Sequence, residues 1–135
     1  LKKSIKTMFP NYQVILAVGV GGALGSILRY FTVFFQQKYY PADFPLGILV
    51  VNLIGSLMIG FLYIYFQSYI ISDNIRFLLI TGFLGGLTTF STFALDNYLL
   101  YQTSFSLTIL NILSNLFGSI FAVLIGVKLA QIIFK

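Results

Sequence analysis

The sequence has no cysteine, no histidine and no tryptophan, and its only acids are Asp43, Asp73 and Asp96. Each absence closes a class of function. Without cysteine there is neither a disulfide framework nor a thiolate metal site. Without histidine, and with so few carboxylates, general acid–base catalysis has almost nothing to work with, so an enzyme is not expected. Charge is scarce as well: 8% of the 135 residues are charged and 59% are hydrophobic. Soluble domains carry about 25% charged and about 45–50% apolar residues. So few charges cannot cover so much apolar surface in water, and the chain is expected in a bilayer. The mean hydropathy of +0.97 agrees. The net charge of +5 comes from eight Lys and Arg. No basic–aromatic cluster of the nucleic-acid-binding kind accompanies them, so they are read as anchors at the lipid surface.

What is present is apolar sequence in four runs, about 14–35, 46–66, 75–100 and 107–134. Each exceeds the roughly 20 residues that cross a hydrocarbon core. The expected architecture is a single all-α domain of four transmembrane helices covering residues 1–135. The opening LKKSIKTMFP resembles the start of a signal peptide, but the run after it is too long and lacks a small-residue cleavage site. Pro41 and Pro45 break the first link, and Asp73-Asn74 is expected to cap the third helix. Tyr39, Tyr40, Tyr63, Tyr65, Tyr69, Tyr98 and Tyr101 cluster near span ends, as an interfacial belt does. Lys2, Lys3, Lys6, Arg76, Lys128 and Lys135 are expected on one side and Lys38 with Arg29 on the other, which favours cytoplasmic termini.

Four helices make a thin bundle that can hardly enclose a polar path alone, so an oligomer is expected. Small residues recur at spacing four: Ala17, Gly21 and Gly25, then Ser56 and Gly60, then Gly118, Ala122 and Gly126. Such ridges serve packing within the chain or a subunit interface equally well. Polar groups inside the spans narrow the function. Asn52 and Ser56 lie one turn apart, and Asn111, Asn115 and Ser119 form a stripe. They are helix–helix glue or the wall of a wet cavity. These groups donate hydrogen bonds without a counter-charge, and the only acid within a span is Asp96. Such a path suits a small anion or a neutral polar solute rather than a cation. Arg29, inside the first span, either snorkels to the interface or draws anions to a vestibule.

The stretch GFLGGLTTFSTFALD, Gly82 to Asp96, is the least helix-like in the spans. Gly85-Gly86 weakens the helix, and the hydroxyls that follow compete for backbone bonds. A break at membrane depth is tolerated where it is buried in protein or lines a cavity. Its freed carbonyls suit a hard cation such as Na⁺. Ser91 and Thr92 can donate to an anion. Phe90 and Phe93, one turn apart, are either ordinary packing or rings whose positive edges face an anion.

This stretch resembles the signature of the small bacterial fluoride channels, the Fluc family, also called CrcB. GGALGSILRY at Gly21 to Tyr30 and GILVVNLIGSLMIGFL at Gly47 to Leu62 are similar to the family's first-span and second-span motifs. The resemblance implies a multi-pass channel of the bacterial inner membrane. It would be an antiparallel, dual-topology homodimer in which fluoride passes by electrodiffusion through two interfacial pores. It implies a central structural Na⁺ held by main-chain carbonyls of Gly85 and Thr88. By motif position, Phe90 and Phe93 would be the pore phenylalanines and Asn52 the second-span pore amide. Ser91, Thr92, Asn111, Asn115 and Ser119 would form the polar track, with Arg29 near the vestibule. Two positions depart from the pattern: Ile48 stands where Thr is common, and Asn111 where Tyr is common. The cytoplasmic charge bias also departs from the near balance an antiparallel pair needs, which leaves open a heterodimer with an oppositely inserted homologue. Two other functions are weighed. A small proton-coupled exporter of organic cations would need a deep carboxylate in span one or two, and none is there. A structural subunit of a membrane complex would explain the ridges but not the hydroxyl–phenylalanine break.

Overall fold

The computed structural model describes residues 11–134. Lys2, Lys3, Lys6 and Lys135, which enter the charge-bias argument, lie outside the described residues. Among the described residues every regular element is helical. In chain order these are α1 (Tyr12–Tyr39), α2 (Leu46–Ser68), α3 (Asp73–Phe77), a π-helical segment (Leu78–Leu84), α4 (Gly85–Leu87), α5 (Phe90–Thr103) and α6 (Phe105–Ile133). Four stretches are long and apolar enough to cross a membrane: Tyr12–Tyr39, Leu46–Ser68, Asp73–Thr103 and Phe105–Ile133. The chain is an all-α, multi-pass membrane protein, and its third spanning stretch is broken.

Local chemistry sets the ends. Asn11 caps α1, its side chain accepting from the Gln13 N–H at 3.0 Å. Pro45 precedes α2, where a missing N–H costs nothing. The third helix begins at Asp73 behind Ser72, one residue before the expected cap, and Ser72 makes no side-chain bond there. Asp73 instead sits in the first turn, where a carboxylate favours the helix dipole. α5 and α6 are joined by Ser104 alone. Its N–H closes α5 on the Leu100 carbonyl at 2.6 Å, and its hydroxyl accepts from the Leu107 N–H at 3.3 Å to open α6. Arg76 closes the second link by donating to the Phe66 carbonyl near the end of α2, at 2.7 Å.

Packing follows the small-residue ridges, and these ridges serve contacts within the chain. α2 lies along α6, and α1 lies along the π-helical segment and α4. A Cβ added at Gly60 would collide with the Val123 carbonyl, and one at Gly126 with that of Leu57. On α1, a Cβ at Gly21 would strike the Leu78 carbonyl and one at Gly25 that of Phe83. Backbones thus touch where side chains would hold them apart, which is how apolar helices associate when lipid supplies no hydrophobic drive. The buried core is small: Val51, Leu84 and Leu87, with Met58, Leu62 and Phe83 against it. Most large apolar side chains face outward on every spanning helix, as lipid contact requires.

Gly25→Leu should therefore prevent close approach of α1 and cost about 1–3 kcal/mol or more. Gly19→Ala, whose Cβ meets nothing within 4 Å, should be neutral. Thermal unfolding and gel filtration in detergent compare the two.

Candidate functional site

The break falls at Thr88 and Thr89, inside the expected stretch and at its hydroxyls rather than at its glycine pair. Gly85 and Gly86 are helical. Gly86 serves packing instead: its Cβ position is taken by the Gly22 backbone of α1. The threonines make the break. Thr88 is extended, with φ −81° and ψ 156°, and its hydroxyl turns back to donate to the Leu84 carbonyl at 2.9 Å. Thr89 is extended as well and becomes the cap of α5, its hydroxyl oxygen accepting from the Thr92 N–H at 3.2 Å.

Peptide groups freed inside a membrane must find partners in the protein. Asn52, on α2, meets the Thr89 peptide twice. Its Oδ1 accepts from the Thr89 N–H at 3.0 Å, and its Nδ2 donates to the Thr89 carbonyl at 3.3 Å. The same Nδ2 donates to Asn115 Oδ1 at 2.9 Å. Asn115 Nδ2 donates to both oxygens of Asn111, the carbonyl at 3.1 Å and Oδ1 at 2.9 Å. Asn111 Nδ2 donates to Asn97 Oδ1, and Asn97 Nδ2 donates to the Phe93 carbonyl, each at 2.9 Å. Four amides on α2, α5 and α6 thus form one chain of bonds. Asn97 escaped the sequence reading. The available signal was its spacing of four from Phe93 and of eight from Thr89.

A cleft of about 340 Å³ opens beside this chain. Asn52, Thr88, Thr89, Phe90, Phe93, Asn115 and Ser119 line it, with Leu116 and Ile120. Phe90 is 78% exposed, so the cleft is open on that side. The Phe90 and Phe93 rings lie 5.5 Å apart at 56°. Ser91 and Thr92 sit in the first turn of α5 and share hydrogen bonds with the Thr89 hydroxyl, at 3.3 and 3.2 Å. Asn111 is off the cleft wall and has no exposed surface. Ile48 is also buried.

A second hollow of about 210 Å³ lies on the other side of the break, lined by Asn52, Gly55, Ser56, Gly85 and Thr88 among others. The Gly85 carbonyl faces no i+4 donor there, because the Thr89 N–H bonds to Asn52. The Thr88 carbonyl accepts from Arg29 Nη1 at 3.1 Å. Arg29 therefore turns inward and braces the break. Asp96 lies elsewhere, in a hollow with Asp43, Thr103 and Ser104.

Residues 16–127 match the profile of the family described as "CrcB-like protein, Camphor Resistance (CrcB)". The chain belongs to this family. It is 44% identical over 126 residues to the "Fluoride-specific ion channel FluC" of Campylobacter fetus, covering 92% of this chain and 98% of that protein. It is 45% identical over 121 residues to the protein of that name from Clostridium perfringens, covering 88% and 94%. It is 45% identical over 122 residues to that of a Nitratiruptor species, covering 87% and 94%. The family match spans the break, the amide chain and the two phenylalanines.

Asn52→Leu should leave the Thr89 N–H unpaired at membrane depth and cost about 1–3 kcal/mol. Ser119→Ala, on the same wall but outside the amide chain, should stay within about 0.5 kcal/mol of the parent. Melting temperatures in detergent report both.

Proposed function

We propose that this protein is a fluoride-selective channel that lets the ion pass down its electrochemical gradient. The observation that carries the proposal is the cleft at the helix break, where a tilted phenylalanine pair lies beside hydroxyls and amides with no acid among the lining residues. The naming of the CrcB-like relatives as fluoride-specific ion channels supports it. In a cell the channel would export fluoride that entered as the neutral acid, across a bacterial inner membrane.

The mechanism is replacement of the hydration shell. Both N–H groups of Asn52 are committed to Thr89 and Asn115, and both of Asn115 to Asn111. These amides therefore shape the wall, and the adjustable donor on it is the Ser119 hydroxyl, with those of Ser91 and Thr92 next to it in the first turn of α5. Hydroxyl hydrogens rotate to suit a passing acceptor. Ring edges of Phe90 and Phe93 add positive quadrupole without a fixed cation that would trap the ion. Larger halides accept weaker hydrogen bonds and would meet a narrower passage than they need.

The openness of the cleft at Phe90 supports a second chain completing the path. We assign that chain to an antiparallel copy, with an oppositely inserted homologue as the other arrangement of the same interface. A central Na⁺ fits the donor set at Gly85, which lines the second hollow and whose carbonyl lacks its i+4 donor. At Thr88 it would share the carbonyl with the Arg29 guanidinium, using its second lone pair. Bound there, the ion would neutralise carbonyls of the break from both subunits.

The decisive experiment is efflux from liposomes loaded with fluoride or chloride, read by an ion electrode after a potassium ionophore is added. Fast fluoride loss with chloride retained is expected. Phe90→Ile and Phe93→Ile should each slow fluoride efflux about tenfold or more, equivalent to ~1.4 kcal/mol at the barrier. Assembly on gel filtration should not change. Normal conduction by both variants would overturn the ring-edge role. Replacing Na⁺ by N-methylglucamine should lower the melting temperature, because an ion bound only to the folded state stabilises it. An unchanged melting temperature would remove Na⁺ from the proposal.

A further inference from the structure

α5 carries both phenylalanines, yet Leu100 is the only buried residue of its 14. Apolar packing therefore does little to fix how this helix is rotated about its own axis. Two polar fastenings do. The Thr89 peptide is held by Asn52 of α2, and Asn97 is held by Asn111 of α6. Thr89, Phe93 and Asn97 recur at spacing four and lie along one side of α5, with Phe93 between the fastenings. The fastenings are about 12 Å apart along the axis, far enough to resist rotation and tilt together.

The fastenings are also joined to each other. Donation runs in one sense from the Thr89 N–H through Asn52, Asn115, Asn111 and Asn97 to the Phe93 carbonyl. The ends fix that sense, because a backbone N–H only donates and a carbonyl only accepts. No amide in the middle can flip without misdirecting its neighbours' bonds. The chain starts one turn before Phe93 and finishes on Phe93 itself.

We propose that Asn97, acting through Asn111, is a positioning residue that locks the rotation of α5 and so holds the Phe93 ring at the cleft wall. Asn97 does not line the cleft, and Asn111 has no exposed surface. Neither touches a passing ion. Their effect reaches the path through the orientation of α5. This role rests on the channel reading for its transport consequence, while the lock itself is a property of the chain.

The test uses the full chain with 4-fluorophenylalanine at position 93, observed by fluorine NMR in detergent, beside efflux from liposomes. The parent should give one narrow resonance. Asn97→Leu should broaden or split it, and fluoride-over-chloride selectivity should fall about tenfold, the scale of one lost buried hydrogen bond. A label at the outward-facing Phe121 should not respond. The double variant Asn97→Leu/Asn111→Leu separates positioning from mere satisfaction of buried groups. It removes both amides of the pair at once; Asn115 keeps the Asn111 main-chain carbonyl but loses Asn111 Oδ1, and Asn111→Leu alone is run beside it as the control for that loss. If the pair were only a buried polar contact, the double variant would regain the narrow resonance and the selectivity. A lock predicts that it regains neither, and recovery would overturn the proposal. Should Asn97→Leu fail to fold, the double variant carries the test alone. If the parent itself passes no fluoride, the channel reading falls, and the resonance of residue 93 still decides the lock.

Discussion

A helix broken within hydrocarbon leaves peptide groups that water cannot reach, and in this chain the Thr89 peptide is satisfied by one carboxamide, Asn52. The pairing is two-sided, as between neighbouring strands: the amide accepts from the N–H and donates to the carbonyl. Much else follows from it. α5 can start afresh at Phe90 because Thr89 is held extended. The Gly85 carbonyl loses the donor it would have had in a continuous helix, because the Thr89 N–H is bonded to Asn52. Arg29 takes the next carbonyl, at Thr88. The break is thus held at Thr88 from α1 and at Thr89 from α2, and the glycines of α1 and α2 let those helices come close enough to reach it. Gly55 belongs to the same arrangement, since a Cβ there would collide with the Thr88 side chain.

The same support explains why the site can be polar without being charged. A buried amide with a free N–H would hold an anion strongly, and one with a free carbonyl would repel it. Chaining the amides removes both extremes. What lines the cleft is then the hydroxyls of Thr88, Thr89 and Ser119, the first two already bonded to Leu84 and Thr92, beside the rings of Phe90 and Phe93. Binding that is adequate but not deep is what conduction requires.

Much of the fold was legible because a bilayer imposes simple rules. Length and hydropathy give the spans, and the prolines at 41 and 45 give the first turn. The break was legible from hydroxyls at membrane depth, though which residues of the stretch leave the helix was not. Gly85 and Gly86 signal two things at once, weak helix propensity and close packing, and at Gly86 packing is what the structure uses. The π-helical segment Leu78–Leu84 left no trace, since about one extra residue per turn does not disturb a pattern that is apolar on nearly every side. The Asn111–Asn115–Ser119 stripe was visible, but not the use of its amides. Spacing places donors on a face and cannot count which of them are already bonded. Asn97 was missed for a related reason: beside Asp96 and Tyr98 near the end of a span it reads as an interfacial residue, and only its tertiary partner Asn111 reveals otherwise. The phenylalanine pair was singled out by its ring edges, but two Phe one turn apart are as readily ordinary packing, and the family resemblance is what favoured the pore.

Asn111 brings these strands together. A tyrosine, common at this position in the resembled family, could offer a single hydroxyl at the end of a ring. Asparagine offers a donor and an acceptor on a short stem, so it can take a bond from Asn115 and pass one to Asn97. Such a relay needs an acceptor on α5 at the right height, and Asn97 supplies it. The two positions are therefore physically interdependent: with Asn97 replaced by an apolar residue, the Asn111 amide would face an empty acceptor site in a fully buried location. The local departure at Asn111 is not a missing group in the polar stripe. It is a different way of carrying the same stripe across from α6 to the helix that bears the phenylalanines.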